Sequence, residues 1–412
     1  MLKEDRTENQ RGQILALYTI VYLAIAFLPV LKYSVPYLAQ GLICLSYVLL
    51  VFLKETRYRI IIILLFVLGL IGGALSFVNG EVVTEVINEP IRVLRCVLPC
   101  FILGDLCRCS QKTKLFIWLF LSGLLLFIAI NTSLELTKND MIARLLASGD
   151  TDESLTQYRM RNIGGFGFSY AIGITFPLWL RVFFKTNNRF LKIVSLIAAA
   201  FIAGYIVLAQ YMILFVLCMM SLLLTLVFNS KKVIVTIFCI VAVFVSLLFA
   251  SSFFRWMAGL DIGSLMQRRL NSIADFFEGK KTLEELTVRF RLYKDAINDF
   301  AKHPILGTPH SVAAADSHSW ILGVAASTGL VGISCLTGEL VVYFKLGRYI
   351  SLSNGLDSGL FMISFLMFLF LSVLNPIQYA YEIFIVLFLY IPLTLCLFGK
   401  NERIAQEGQG NE

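Results

Sequence analysis

The sequence predicts an all-α polytopic membrane protein with about twelve transmembrane helices. It also predicts a large extracytoplasmic loop, containing short helices, between the ninth and tenth spans. The chain is 58% hydrophobic and 15% charged, with a mean hydropathy of +0.80, whereas soluble domains are about 45–50% apolar and about 25% charged. Apolar runs of about 18 residues or more, long enough to cross a bilayer, follow one another along the chain. Cations concentrate in alternate connections between these runs.

The apolar runs divide the chain into twelve predicted spans within a single integral membrane domain, residues 1–412. They are residues 14–31, 35–53, 60–78, 91–107, 115–134, 163–180, 191–209, 211–228, 233–253, 319–344, 358–376 and 380–398. The first run is longer than the apolar core of a signal peptide, about 7–15 residues, and no small-residue cleavage site follows it. We therefore expect it to remain as the first span.

The distribution of Lys and Arg predicts the orientation of the spans. Five connections carry at least two cations each: 54–59, 108–114, 181–192, 230–232 and 345–348. The short connections on the other side carry none, and 79–90 has three glutamates instead. Because basic loops stay in the cytoplasm, both termini are predicted to be cytoplasmic. This pattern accounts for the net charge of +8 and argues against nucleic acid as a partner.

Two long segments fall on the predicted outer side, a smaller loop at 135–162 and a large loop at 254–318. Long loops without secondary structure are uncommon and are often functional. The three histidines of the chain, His303, His310 and His318, all lie in the large loop. None of the nine cysteines lies in either loop, so no disulfide framework is indicated.

Arg92 and Arg95 stand at the outer end of the fourth predicted span, three residues apart and therefore on one helix face. Two like charges repel unless an anion lies between them, and guanidinium groups bind phosphate or diphosphate in a fixed fork. The alternative is that both side chains extend to the outer lipid headgroups. Arg161 lies just outside the sixth span. Its position fits ligand binding and the fixing of membrane topology equally well.

The segment before Pro304 is predicted to be an amphipathic helix. Its apolar stripe consists of Leu286, Phe290, Tyr293, Ile297 and Phe300. Arg289 lies at the edge of the stripe, held against the protein or the membrane, where a cation requires an anionic partner. Arg291 points to the opposite face, where it is solvated or paired with Asp295.

The histidines do not form a local metal site, because spacings of seven and eight residues across Pro304 and Gly307 do not bring their side chains together. We therefore predict no metal. His303 ends the amphipathic helix, where a cation suits the helix dipole, and His310 is a loop residue. His318 lies at the outer mouth of the tenth span and can exchange a proton near neutral pH; the alternative is an interfacial residue without a role.

The stretches "RFRLYKDAINDFAKHPILG" and "HSWILGVAASTGLVG" together resemble the carboxy-terminal part of the O-antigen polymerase (Wzy) and O-antigen ligase superfamily. The resemblance covers residues 285–335. The matching residues are Arg289, Tyr293, His303, Pro304, Gly307, His318, Leu322, Gly329 and Gly332. The chain departs from the family pattern at Ser319, where Asn is usual, and at Pro309, where a second glycine is usual. Many members of the superfamily also carry an arginine at the outer turn between the seventh and eighth spans. This chain has "AQYM" there, so Arg92 or Arg161 would have to take the place of that arginine.

The resemblance implies glycosyl transfer at the outer face of the bacterial cytoplasmic membrane, by a metal-independent enzyme of GT-C type without a cofactor. The donor is an oligosaccharide on undecaprenyl diphosphate. The acceptor is another lipid-linked repeat unit in a polymerase of capsule or lipopolysaccharide synthesis, or lipid A–core in a ligase. Membrane lipids, a flippase and a chain-length regulator are the further partners.

The implied catalytic residues are His318 and Arg289. The residues assigned to binding of the diphosphate or glycan are Arg92, Arg95, Arg161, Arg291 and Tyr293. A transporter, such as a flippase for the same lipid-linked units, is the alternative from another class. The absence of an internal repeat, and the clustering of charges at one face rather than mid-membrane, favour the enzyme.

Overall fold

Most of the described residues lie in helices, which confirms the predicted all-α class. The structure is a computed structural model, and it describes residues 2–52, 74, 83–139, 142, 153–229, 250–260, 264–278, 280, 284–308, 319–353, 358–377 and 380–398. These ranges contain no strand. Almost all of the predicted third and ninth spans, 60–78 and 233–253, lie outside the described residues.

Ten helices lie in the first part of the chain. They are α1 (Leu2–Phe27), α2 (Pro29–Ser34), α3 (Tyr37–Phe52), α4 (Val83–Leu106), α5 (Gln111–Leu136), α6 (Glu153–Met160), α7 (Phe166–Ile174), α8 (Phe176–Lys185), α9 (Arg189–Ala209) and α10 (Met212–Asn229) in the residues described there. The predicted fourth span, 91–107, overlaps α4, which the structure describes from Val83 to Leu106.

The remaining helices include those of the large loop. They are α11 (Ala250–Ala258), α12 (Ser264–Phe277), α13 (Glu284–Lys302), α14 (Trp320–Ser353), α15 (Ser358–Leu374), α16 (Tyr381–Ile385) and α17 (Ile391–Phe398), with a π-helical turn Val386–Tyr390 joining the last two. The amphipathic helix expected before Pro304 is α13. It ends at Lys302, and the His303 N–H donates to the carbonyl of Asp299 at 3.3 Å.

One hydrophobic core runs from α1 to α17. Many apolar side chains on the outside of the bundle are exposed. Ile14, Leu17, Phe116 and Ile197 are each more than half exposed, which suits a helix that faces lipid. By length and composition, four described helices suffice to cross a membrane: Gln111–Leu136, Phe166–Lys185, Arg189–Ala209 and Trp320–Val342. The total of twelve spans and their orientation stay predictions.

Within the large loop, α11 and α12 form a hairpin held by Arg255. Its guanidinium donates to Asp275 at 2.8 Å and to Glu278 at 2.7 and 2.8 Å. Hydrogen bonds from Arg255 and Lys280 hold the pKa of Glu278 at about 2, below its ordinary value. Because the group is exposed to solvent, this ion pair orders the hairpin more than it stabilises the fold.

The tenth predicted span, 319–344, is not one regular helix. Its backbone breaks at Gly329, which has φ +62° and ψ −154°, a conformation open to glycine but not to other residues. The break leaves backbone groups of α14 without helical partners. The turn that follows α13 supplies replacements: Leu330 N–H donates to Pro304 O at 2.7 Å, and Thr308 N–H donates to Ala326 O at 2.8 Å.

A second glycine makes this contact possible from the other side. Gly307, with φ +79°, sits so close to α14 that a Cβ there would lie 2.3 Å from the carbonyl of Ser327. A Cβ on Gly329 would lie 2.5 Å from the carbonyl of Ile305. We call Gly307, Gly329 and the turn 304–308 the glycine lock. It fastens the end of α13 into the broken part of α14.

Replacing Gly329 by Ala is expected to destabilise the fold by at least about 2 kcal/mol, because a methyl group must adopt a left-handed conformation and overlap the backbone of Ile305. The Tm of the purified protein in detergent measures the loss. Gly204→Ala in α9 is the matched control, since a Cβ there meets nothing within 4 Å and Ala favours the helix. Equal Tm values for the two variants would contradict the lock.

Candidate functional site

Several helix ends meet at one end of the bundle, the end that the sequence predicts to face outward. The start of α7, the end of α15 and the starts of α14 and α16 are in contact there. Asn162, just before α7, accepts from Val30 N–H of α2 at 3.3 Å. Asn375, just after α15, accepts from Trp320 N–H of α14 at 3.1 Å. The Asn162 side chain and the Asn375 backbone carbonyl, from distant parts of the sequence, therefore both bind helix ends here.

Arg289 reaches this end from α13. Its side chain is half-buried, and its Nη1 donates to the carbonyl of Leu374, the last residue of α15, at 2.9 Å. The neighbouring carbonyl, that of Asn375, accepts from Trp320 N–H. Two adjacent carbonyls thus hold Arg289 and the first turn of α14 side by side.

The side chain of Asn375 extends this group to α7. Its Nδ2 donates to the hydroxyl of Tyr170 at 3.3 Å. The Tyr170 ring packs against Phe166 and Tyr211, with centroids 4.6 and 5.5 Å away. We call Arg289, Leu374, Asn375 and Tyr170 the Arg289 group.

Ser319 caps the helix that follows His318. Its Oγ accepts from Leu322 N–H at 3.2 Å, which is the hydrogen bond of a helix N-cap. Asn is an equally good N-cap residue, so the departure at Ser319 from the family pattern keeps the geometry at the start of α14. His318 itself lies outside the described residues, immediately before this cap.

A second group of cations alternates with tyrosine rings. Arg159 lies 4.3 Å from the centroid of the Tyr33 ring, and Lys32 Nζ lies 5.9 Å from the same centroid. Lys32 Nζ is also 4.4 Å from the Tyr381 ring, and the Arg95 guanidinium is 3.7 Å from that ring. We call these five residues the cation–tyrosine ladder. Each such contact contributes about 0.5–2 kcal/mol, more as the cation is desolvated.

Glu382 is the carboxylate of the ladder. It pairs with Lys32 at 2.5 Å and is 5% exposed. Its second oxygen, Oε2, is buried without a hydrogen-bond partner among the described residues, and a Cβ on Gly167 would lie 2.9 Å from it. Because Gly167 in α7 has no side chain, it leaves space for the buried carboxylate of Glu382 at the start of α16.

The ladder carries excess positive charge. Among the side chains that the structure describes, it combines three cations with one carboxylate. Arg95 is 5% exposed, and its position on the face of Tyr381 places the guanidinium against negative π density. Lys32 and Arg159 are half-buried, so Arg95 is the buried cation of the three.

The structure places the sequence-predicted residues in different surroundings. Arg95 belongs to the ladder and Arg289 to the Arg289 group. Arg92 and Arg95 both lie within α4, nine and twelve residues after Val83, the first residue of that helix that the structure describes. The contacts of the Arg92 side chain are not among those described.

The other predicted residues lie outside both groups. Arg161 is exposed and 3.7 Å from Glu135, and Arg291 is exposed on α13. The Tyr293 ring meets Phe290 edge-on at 6.5 Å, and its hydroxyl is buried with no hydrogen-bond partner in the described ranges. Arg289 is half-buried and Arg291 is exposed, as helical spacing predicts, whereas Phe290 and Ile297 of the predicted apolar stripe are more than half exposed.

Most residues of these groups escaped the sequence analysis, among them Lys32, Tyr381, Glu382 and Asn375. One signal was present, because Glu382 is an acidic residue within the apolar run 380–398, and charges in spans point to function. Lys32 gives no such signal, because it lies just after the end of the first predicted span, 14–31. Their pairing joins residues 350 positions apart, which periodicity cannot reveal.

The described residues contain no group of three His, Cys, Asp or Glu side chains that could hold a metal ion. His310 and His318 lie outside these residues. No model of a known protein family matches the chain, and neither does any curated protein sequence.

Removing the carboxylate of Glu382 is expected to destabilise the protein by up to about 3 kcal/mol, because the half-buried Lys32 would lose its partner. Glu382→Gln should therefore lower the Tm in detergent. The double variant Lys32→Met with Glu382→Gln is the control, and most of the lost stability should return because no unpaired charge remains. A double variant as unstable as Glu382→Gln would show that the ion pair is not the cause.

Proposed function

We propose that this chain is a polysaccharide polymerase of the outer face of the bacterial cytoplasmic membrane. It transfers a growing glycan from undecaprenyl diphosphate to another lipid-linked repeat unit. The resemblance over residues 285–335 supports this function, and the apolar helices suit an enzyme whose substrates are lipids. A flippase would act before this enzyme, and a chain-length regulator would act together with it.

The position of Arg289 carries the proposal. The side chain turns from α13 into the bundle and binds the end of α15, next to the carbonyl that fixes the first amide of α14. His318 precedes that amide by two residues in the sequence. The two residues proposed as catalytic therefore belong to segments that meet at one point.

The reaction needs a cation and a proton acceptor at such a point. The acceptor hydroxyl attacks the anomeric carbon of the donor, a new C–O bond forms, and the bond to the lipid diphosphate breaks. Arg289 would neutralise the charge that develops on the leaving diphosphate. His318 would take the proton of the hydroxyl. Arg92 and Arg161 stay candidates for further contacts with the diphosphate, and Arg291 and Tyr293 for contacts with the glycan.

A ligase and a transporter are the two alternative functions. A ligase would use the same chemistry with lipid A–core as acceptor. A transporter is favoured by one observation, since broken helices are typical of transporters and α14 is broken at Gly329. However, the turn 304–308 fills that break with its own backbone, so its carbonyls and amides are not open to a passing solute.

Arg289→Ala is expected to slow polymerisation by about 100-fold or more, the usual effect of removing a charge-stabilising group from the transition state. The measurement is the chain length formed by the purified protein in liposomes with lipid-linked repeat units. Lys294→Ala is the matched control, because it removes one exposed positive charge from the same helix. Full activity of Arg289→Ala would remove Arg289 from the site.

His318→Ala should abolish long chains in cells that lack their own copy of the gene, because the substitution removes the proposed proton acceptor. A polymerase mutant still displays single repeat units outside the membrane, whereas a flippase mutant retains them inside. Surface labelling of the glycan distinguishes these results. Units trapped inside would overturn the polymerase in favour of the transporter.

A further inference from the structure

The glycine lock carries an exposed apolar surface. Ile305 and Leu306, in the turn after α13, are 64% and 48% exposed, and Leu330 of α14 is 51% exposed. Backbone hydrogen bonds hold the two segments together, because Leu330 N–H donates to Pro304 O and Val331 N–H donates to Ile305 O. We call Ile305, Leu306 and Leu330 the lock face. Apolar side chains exposed on adjoining backbones mark a contact surface.

The lock face continues into an exposed stripe along α14. After Gly329, the exposed side chains that the structure describes on this helix are Leu330, Ser334, Thr337, Val341, Lys345 and Arg348. They recur every three or four residues and therefore lie on one side of the helix. Since α14 is long and apolar enough to cross a membrane over Trp320–Val342, this exposed side faces lipid. The Ser334 hydroxyl suits lipid, because it donates to its own helix at Leu330 O, 2.7 Å away.

The length of α14 gives the depth of the lock face in the membrane. Lys345 and Arg348 follow Leu330 by 15 and 18 residues, which is about 22 and 27 Å along the helix axis. Charged side chains avoid the hydrocarbon, so these two exposed cations belong at the headgroups of one membrane surface. The hydrocarbon layer is about 30 Å thick. Leu330 therefore lies just inside its far edge, together with Ile305 and Leu306, and a tilt of the helix would place them deeper.

The exposed surface of α13 has an apolar strip beside the lock. Phe290 and Ile297 are 65% and 53% exposed, and at about 100° per residue they lie within about 20° of each other. On one side of this strip is the face that packs on α14 through the buried Ala296. On the other side is the charged face, with the exposed Arg291 and Asp295. An apolar strip between protein and charge is typical of a helix at the boundary of lipid and water.

The backbone of the lock is compatible with a position in lipid. Polar groups there must be paired within the protein. In addition to the bonds with α14, Gly307 N–H donates to His303 O at 2.9 Å, and the Thr308 hydroxyl donates to Asp299 O at 2.7 Å. Lys302, exposed at the end of α13, has a side chain long enough to reach the headgroups.

We infer that the lock face and the strip of Phe290 and Ile297 are embedded in the membrane leaflet opposite Lys345 and Arg348, the outer one by the predicted orientation. The partner of this surface is the acyl chains of lipid. Lipid fits the surface better than a second protein does, because the lock face shares its side and depth with the lipid-facing stripe of α14. The large loop is then anchored in the membrane at the lock, which goes beyond the proposed function and does not depend on the reaction.

Fluorescence quenching tests this placement on the full chain in phosphatidylcholine nanodiscs. An environment-sensitive fluorescent amino acid replaces Ile305 or Ile297. It replaces Asp295 in the matched control, on the charged face of the same helix. Lipids with a nitroxide in the upper part of the acyl chain should quench the probe at Ile305 and Ile297 several-fold more than aqueous iodide does, and the order should reverse at Asp295.

Two results would overturn the inference. Iodide quenching at Ile305 as strong as at Asp295 would place the lock face in water. Quenching by neither reagent would show that protein covers the lock face, either a second copy or another part of this chain. Neither result depends on turnover, so a chain that makes no polymer would refute the proposed function and leave the membrane placement standing.

Ile305→Asp tests the same placement through stability. A surface position in water tolerates such a change, whereas a carboxylate in hydrocarbon is costly. The Tm of the full chain in nanodiscs should therefore fall by about 5 °C. Ile305→Met is the control, because it keeps an apolar side chain on the same turn. Equal Tm values for the two variants would mean that the side chain at this position is in water.

Discussion

The broken backbone of α14 is the constraint on which the arrangement of the outer end depends. A helix interrupted at Gly329 leaves amides and carbonyls that cost free energy unless they find partners. The turn 304–308 supplies them, and only glycine at both positions lets the two backbones come so close. Since α13 leads directly into this turn, the same hydrogen bonds fix the helix that carries Arg289. Local backbone chemistry therefore determines where the guanidinium stands.

Charged side chains within the apolar bundle are a second constraint on the structure. Lys32, Arg95 and Glu382 come from three helices that are otherwise packed through hydrophobic side chains. Their charges are retained because tyrosine faces and one ion pair surround them, in place of water. The arrangement is costly to build, and an equally apolar replacement would often be as stable. A function that needs fixed positive charge is a physical reason for keeping it.

Sequence reasoning succeeded where a single helix carries the information. The stripe on α13 distinguished Arg289 from Arg291, because the angle between them depends only on helical geometry. It failed where partners are distant. Lys32 and Glu382 meet across nearly the whole chain, 350 positions apart. Nothing in the sequence alone marks Gly329 as the break of α14, because the break depends on the turn that fills it.

The hydrogen bonds at Thr308 and Ser319 hold the two residues that flank residues 309–318. Thr308 N–H donates to Ala326, and Ser319 caps the same helix seven residues earlier, a separation of about 10 Å along its axis. A segment whose two ends are held so near each other can change length at little entropic cost. Insertions between these two residues would therefore leave the glycine lock and the cap of α14 in place.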